Sequence, residues 1–123
     1  MSPTGSVPGR AGGAIYRSLF AYEEATGRGY AFPDNVGFLF RSEEDYGPAA
    51  EQRMARKRDD YFAAGTRVVW DVDVLREERV RSYAAERPEE PRVFGRGEVA
   101  DAEPALPAWS MPVDDLFRGG RRR

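Results

Sequence analysis

The chain contains no cysteine and no histidine. The first absence excludes disulfides, thiolate nucleophiles and zinc–sulfur centres. The second removes Ser–His and Cys–His nucleophile pairs, imidazole acid–base chemistry and the usual transition-metal ligand. Lysine is nearly missing as well: of 19 basic side chains, Lys57 is the one lysine and the other eighteen are arginines. Long apolar runs are absent, so no membrane span is expected. The opening "MSPTGSVPGRAGG" has no apolar central run and does not read as a signal peptide. A large charge excess is lacking too, the net charge being −2, so any contact with nucleic acid would need a local patch. What remains for chemistry is carboxylates, arginine, tyrosine and one lysine. A metal site built from carboxylates alone favours hard cations such as magnesium, manganese or calcium. The lack of cysteine fits a reducing interior, and a cytoplasmic location is the default expectation.

With 123 residues, 41% of them hydrophobic and 33% charged, the chain has the make-up of one small globular domain with one core. Residues 1–13 are rich in Pro, Gly and Ser and read as a flexible lead; residues 118–123 read as a basic tail. Between them, residues 14–117 are expected to form the domain. Ile15, Leu19 and Tyr22 make a helical stripe, widened by Tyr16 and Phe20, which predicts a helix over 14–26 closed by Gly27. Pro33, Asp34 and Asn35 are turn chemistry, and 36–40 is a short apolar strand, expected to be buried on both faces.

A second helix is expected from Pro48, suited to the first helical turn, to a stop at Gly65. Ala50, Met54, Lys57, Tyr61 and Ala64 recur at spacings of four and three and make one face, with Lys57 at its centre. "TRVVWDVDV" alternates as a strand, "LREER" turns, and "VRSYA" returns, which predicts an antiparallel hairpin. "RPEEP" reads as a loop, "RVF" as a third strand and "GRG" as a tight turn. Leu106 and Trp109 should pack an apolar loop before a helical turn through Leu116 and Phe117. The order α-β-α-β-β with a small β tail implies a mixed α/β or α+β domain.

The stretches "DYGPAAEQRMARKRDDYFAAGTRVVWDVD", "VRSY", "GRGEVADAEPALPAW" and "PVDDLF" resemble the Uma-type restriction endonuclease family. "GYAFPDNVGF" is similar to that family's early strand pair, so the likeness covers roughly residues 14–117. The resemblance implies a PD-(D/E)XK nuclease fold, a mixed sheet with flanking helices, and divalent-metal hydrolysis of DNA phosphodiesters. In such a site an Asp and a Glu on strands hold magnesium or manganese, and a lysine stabilises developing charge or orients the water. The position matching that lysine is Lys57. The metal-binding Glu falls two residues before Arg41, where this chain has Leu39. The strand that would carry the Asp has no room between "VGF" and "RS". An internal segment near 40–41 is missing relative to the family pattern, which implies a truncated sheet and a site without its two carboxylates.

Each candidate also has a plainer reading. Asp34 and Glu43 are the carboxylates left for a substitute metal site, but turn capping by Asp34 and a solvated acidic run over 43–45 are the commoner outcomes. Lys57 is either an inherited active-site position or a surface lysine whose stem lies on apolar neighbours. Arg53, Arg56 and Arg58 are candidates for phosphate contact, set against a solvated helix face shared with Glu51, Asp59 and Asp60. Asp71 and Asp73 lie on one strand face, a spacing that can hold a metal or do acid–base work, but the commoner outcome is a solvated face on which they meet Arg81 and Arg79 across the hairpin. Trp70 and Trp109 are assigned to the core. Three functions follow: a metal-dependent endonuclease, a non-catalytic remnant that binds DNA or pairs with a full-length relative, and an ordinary interaction domain. Loss of central strands would leave adhesive edges at 36–40 and 68–74, which pair directly or across a homodimer.

Overall fold

The computed structural model describes residues 7–27 and 35–117, with backbone alone for 7 and 8. Their elements, in chain order, are α1 (Val7–Thr26), β1 (Val36–Phe40), α2 (Pro48–Ala63), β2 (Val68–Asp73), β3 (Arg79–Ala84), β4 (Arg87–Gly95), β5 (Val99–Asp101), β6 (Ser110–Pro112) and a 3-10 turn (Val113–Phe117). This is an α+β fold. Strands β1 to β4 form one mixed sheet in the order β1-β2-β3-β4, and β5 and β6 pair in a second. β1 runs parallel to β2, with α2 as the crossover between them; β2–β3 and β3–β4 are antiparallel. Asp34, the basic tail at 118–123 and most of the N-terminal lead lie outside the described residues.

Every residue of β2 is buried, because the strand is central and both of its faces are covered. Val68, Trp70 and Val72 join a core with Ile15, Leu19 and Tyr22 of α1, Val80 of β3, and Leu106, Trp109 and Leu116 from the C-terminal part. Trp70 stands edge-on to Phe38 at 5.6 Å and lies 5.1 Å from Trp109, ring centre to ring centre. Each indole N–H finds an acceptor: Trp70 donates to the Asp101 carbonyl and Trp109 to Ser18 Oγ. Both indoles are buried in the core, and each has the hydrogen-bond partner that a buried indole N–H usually finds.

Four local expectations need correcting. Helix α1 begins at Val7, seven residues earlier than its apolar stripe suggests. Ala11 is fully buried, and burial outweighs the weak helix propensity of Gly9, Gly12 and Gly13. Tyr16 and Phe20 do not widen the buried stripe; both are exposed. In β1, Val36 and Gly37 are buried, but Phe38, Leu39 and Phe40 are half-buried, because β1 is an edge strand. "RPEEP" belongs to β4, whose register against β3 shifts between Ser82 and Ala84. Pro88 and Pro91 are tolerated there because β4 is the other edge and carries the irregularity.

Helix α2 follows its sequence signals at both ends. Pro48 lies in its first turn, and Gly65 follows the C-cap at φ +99°, a conformation that favours glycine. The helix is rotated, however, relative to the expected face. Ala50 and Met54 are buried, Arg58, Tyr61 and Phe62 are half-buried, and Lys57 and Ala64 are exposed. Arg58, not Lys57, lies over the sheet.

Candidate functional site

Arg41 immediately follows β1, and its backbone N–H extends the ladder by donating to the Val72 carbonyl. That register sends its side chain beneath α2, where it is 1% exposed. The guanidinium is fully used. Nε donates to Asp71 Oδ1 at 2.8 Å and Nη2 to Asp71 Oδ2 at 2.7 Å, a fork-to-fork pair. Nη1 donates to Glu51 Oε2 at 2.7 Å and to the Asp45 carbonyl at 2.6 Å, and Nη2 also reaches Glu51 Oε1 at 3.1 Å. The hydrogen bond to Asp71 raises the Arg41 pKa well above its ordinary value, against the effect of burial. Glu51 is held below the usual carboxylate range, chiefly by its hydrogen bond to Arg41.

Asp71 and Asp73 are therefore not on a solvated face. Asp71 has no exposed surface and Asp73 is buried as well. The cross-strand register does place Asp71 opposite Arg81 and Asp73 opposite Arg79, but of the two expected ion pairs the structure shows the one to Arg81, while Arg79 turns to Glu77. Asp71 Oδ2 lies 3.8 Å from Arg81 and 4.0 Å from Arg58. Asp73 Oδ1 accepts from the Tyr46 hydroxyl at 2.6 Å and from the Arg76 backbone N–H at 3.0 Å. Burial first, then the bond to Asp73, pushes the Tyr46 pKa up and keeps the phenol neutral.

Lys57 occupies the opposite flank of α2, at the β1 edge. It lines a shallow depression of about 340 Å³ with Leu39, Asp60, Tyr61 and Ala64. It also lines a second depression with Arg53, Arg56, Asp59 and Asp60. Tyr61 closes over β1 at Gly37, where a Cβ would stand 2.6 Å from its ring. The other sequence candidates scatter. Glu43 is exposed and pairs with Arg76 at 3.8 Å. Arg53 donates to the Glu44 carbonyl and faces Asp45 at 3.6 Å. Arg56 is exposed, and Arg58 turns to the far flank, 4.0 Å over the Tyr83 ring. The structure thus brings Lys57 together with Leu39, Arg53 and Arg56, but not with Glu43 or Arg58.

A hard dication needs several carboxylate oxygens converging on one point. The depression at Lys57 is lined by the carboxylates of Asp59 and Asp60, flanked by Arg53 and Arg56, and Asp45 lies near enough for the Lys57 charge to act on it. Among the described residues no group of three or more His, Cys, Asp or Glu side chains is arranged to hold a metal ion. This donor set does not fit magnesium or manganese. The buried cluster is closed to a metal as well, since Asp71 is occupied on both oxygens by Arg41.

Fold and site together define a small α+β domain whose crossover helix is pinned to the sheet by a buried arginine–carboxylate network. Compared with protein-family models and with curated proteins, the chain matches none. Among the described residues no helix is long and apolar enough to cross a membrane. Sequence reasoning missed Arg41, Tyr46 and Tyr83 as cluster members. Arg41 carried one signal: it continues the apolar run 36–40 directly, so it had to be accommodated at the end of a semi-buried strand.

Proposed function

We propose that the chain is a catalytically silent relative of the Uma-type restriction endonucleases, retaining the lysine of a PD-(D/E)XK site without the carboxylates that load its metal. The observation that supports this reading is that Leu39 and Lys57 line one depression. These are the positions at which the resemblance calls for the metal-binding Glu and the lysine. Such proximity is what a nuclease site requires of that pair, and leucine in place of glutamate removes the anionic ligand that would balance the metal's charge. DNA contact, on this reading, falls to the exposed Arg53 and Arg56 beside Lys57, and each phosphate contact adds about 0.9 to the slope of log affinity against log salt on duplex DNA.

The test is plasmid nicking by the Leu39→Glu variant in magnesium and in manganese. One restored carboxylate beside Lys57 is not a two-carboxylate site, so the variant is expected to stay inactive. Cleavage by Leu39→Glu would overturn the view that a whole strand is missing.

A second reading, self-association, is favoured by the exposed apolar surface at the β1 edge. Gly12, Ile15, Tyr16, Leu19, Phe38 and Phe40 border an open apolar groove of about 290 Å³ between α1 and β1. β1 is hydrogen-bonded to β2 on one side and stands at the sheet's edge on the other. Unpaired strand edges next to apolar surface promote pairing between chains.

A further inference from the structure

The flank of α2 facing β3 holds more guanidinium groups than acceptors. Asp71 Oδ2 is approached by Arg41, Arg81 and Arg58, but Arg41 already takes both oxygens in short hydrogen bonds. Glu77 Oε1 receives Arg79 and Arg81 together, the latter at 3.2 Å. Arg58 makes no hydrogen bond among the described residues; it has the long approach to Asp71 and the stacking on Tyr83. Arg79 Nε is buried without a partner. Buried or half-buried donors left without acceptors carry a free-energy penalty that an incoming anion relieves.

The geometry is open to such a ligand. Arg58 and Arg81 are 14% and 20% exposed in their side chains, enough to be reached yet sheltered from bulk screening. The sheet beyond them is uncovered: Val93, directly across from Arg81 on β4, is 47% exposed. Both guanidinium groups point one donor toward the same Asp71 oxygen and both also face the Glu51 carboxylate, so a tetrahedral oxyanion would accept from the remaining, outward N–H groups of the two. The Arg58 guanidinium carbon stands 4.0 Å over the centre of the Tyr83 ring, a contact that limits the rotamer freedom left to be lost on binding.

We propose that this flank binds a phosphate group between the guanidinium groups of Arg58 and Arg81. The site is separate from the depression at Lys57 and does not depend on nuclease ancestry, so an inert result in DNA cleavage leaves it standing. The phosphate comes either from a free phosphate or small phosphate ester or from a nucleic-acid backbone.

The experiment titrates inorganic phosphate into the full chain at constant ionic strength, followed by phosphorus NMR line width and by calorimetry. Saturable binding is expected, weakened at least about tenfold in Arg58→Gln and in Arg81→Gln by loss of charge-assisted hydrogen bonds, and unchanged in Arg17→Gln, an exposed arginine on α1. A short DNA duplex added at saturation separates the sources: displacement of phosphate assigns the site to a nucleic-acid backbone, and its retention assigns it to a free phosphate. If Arg58→Gln loses its folded circular dichroism signal, Arg58→Lys is read instead. That variant keeps the charge and the ring contact but loses the fork, and binding should again weaken. No saturable binding by the wild-type chain, or undiminished binding by the doubly substituted protein, would overturn the proposal.

Discussion

Asp71 is the residue on which the interior polar network turns. It has no exposed surface, and its two oxygens are matched to the Nε and Nη2 of Arg41 at 2.8 and 2.7 Å. Two buried charges are tolerated only because each satisfies the other, and removing one strands its partner. Asp71→Asn should therefore destabilise the chain by about 3 kcal/mol, the lower part of the range for a broken buried pair, because Glu51 still holds Arg41. Replacing both, as Arg41→Met with Asp71→Leu, should cost less than Asp71→Asn alone. Urea denaturation midpoints measure the comparison, and a double variant less stable than the single one would contradict it. None of this was legible from local pattern. The alternation in "VVWDVD" correctly predicts a strand with the aspartates on one face, but a solvated face and a buried charged face look identical in one strand's sequence. What distinguishes them is Arg41, thirty residues away along the chain.

At the scale of elements, the order of helices and strands was readable because each carries strong local signals. Pro48 and Gly65 bracket α2, and the apolar run of β1 and the hairpin of β2 and β3 stand clear of their turns. The start of α1 was not readable, since its glycines argue against helix and what decides the matter is the burial of Ala11. The rotation of α2 was not readable either. By spacing alone Lys57 and Arg58 are both compatible with a face through Ala50 and Met54, and the choice of Arg58 rests on Asp71 and Tyr83 beneath it. One close approach positions α2 over β1. A methyl group at Gly37 would meet the Tyr61 ring at 2.6 to 2.8 Å, so the ring or the helix must move. Gly37→Ala should cost about 1–3 kcal/mol as overpacking. In a Tyr61→Ala background the same change should be close to neutral, and equal costs in both backgrounds, by thermal or urea unfolding, would refute the contact as its origin.

For the whole molecule, two flanks of one helix face different chemistry. The β1 side presents Lys57 and Leu39 beside an apolar edge, and the β3 side presents arginines in excess of their acceptors. The exposed Tyr16 and Phe20 on α1 extend the apolar surface near the β1 edge. Self-association through this region should make the sedimentation coefficient rise with concentration, and Tyr16→Ser with Phe20→Ser should suppress the rise. A wild-type chain that sediments as a monomer at all concentrations would argue against it. The adjacency of Leu39 and Lys57, separated by eighteen positions in the chain, follows from α2 crossing back over β1. The resemblance pointed to these two positions, and the apolar spacing placed Lys57 at the centre of the apolar face of α2, whereas the residue lies on the exposed flank.

Plasmid nicking tests the proposal that Lys57 is a nuclease lysine left without its metal site. Supercoiled plasmid is incubated with the wild-type chain and with Lys57→Ala, in magnesium and separately in manganese. No nicking is expected from either protein with either metal. Nicking by the wild-type chain that disappears in Lys57→Ala would contradict it and would show that the lysine serves a working site.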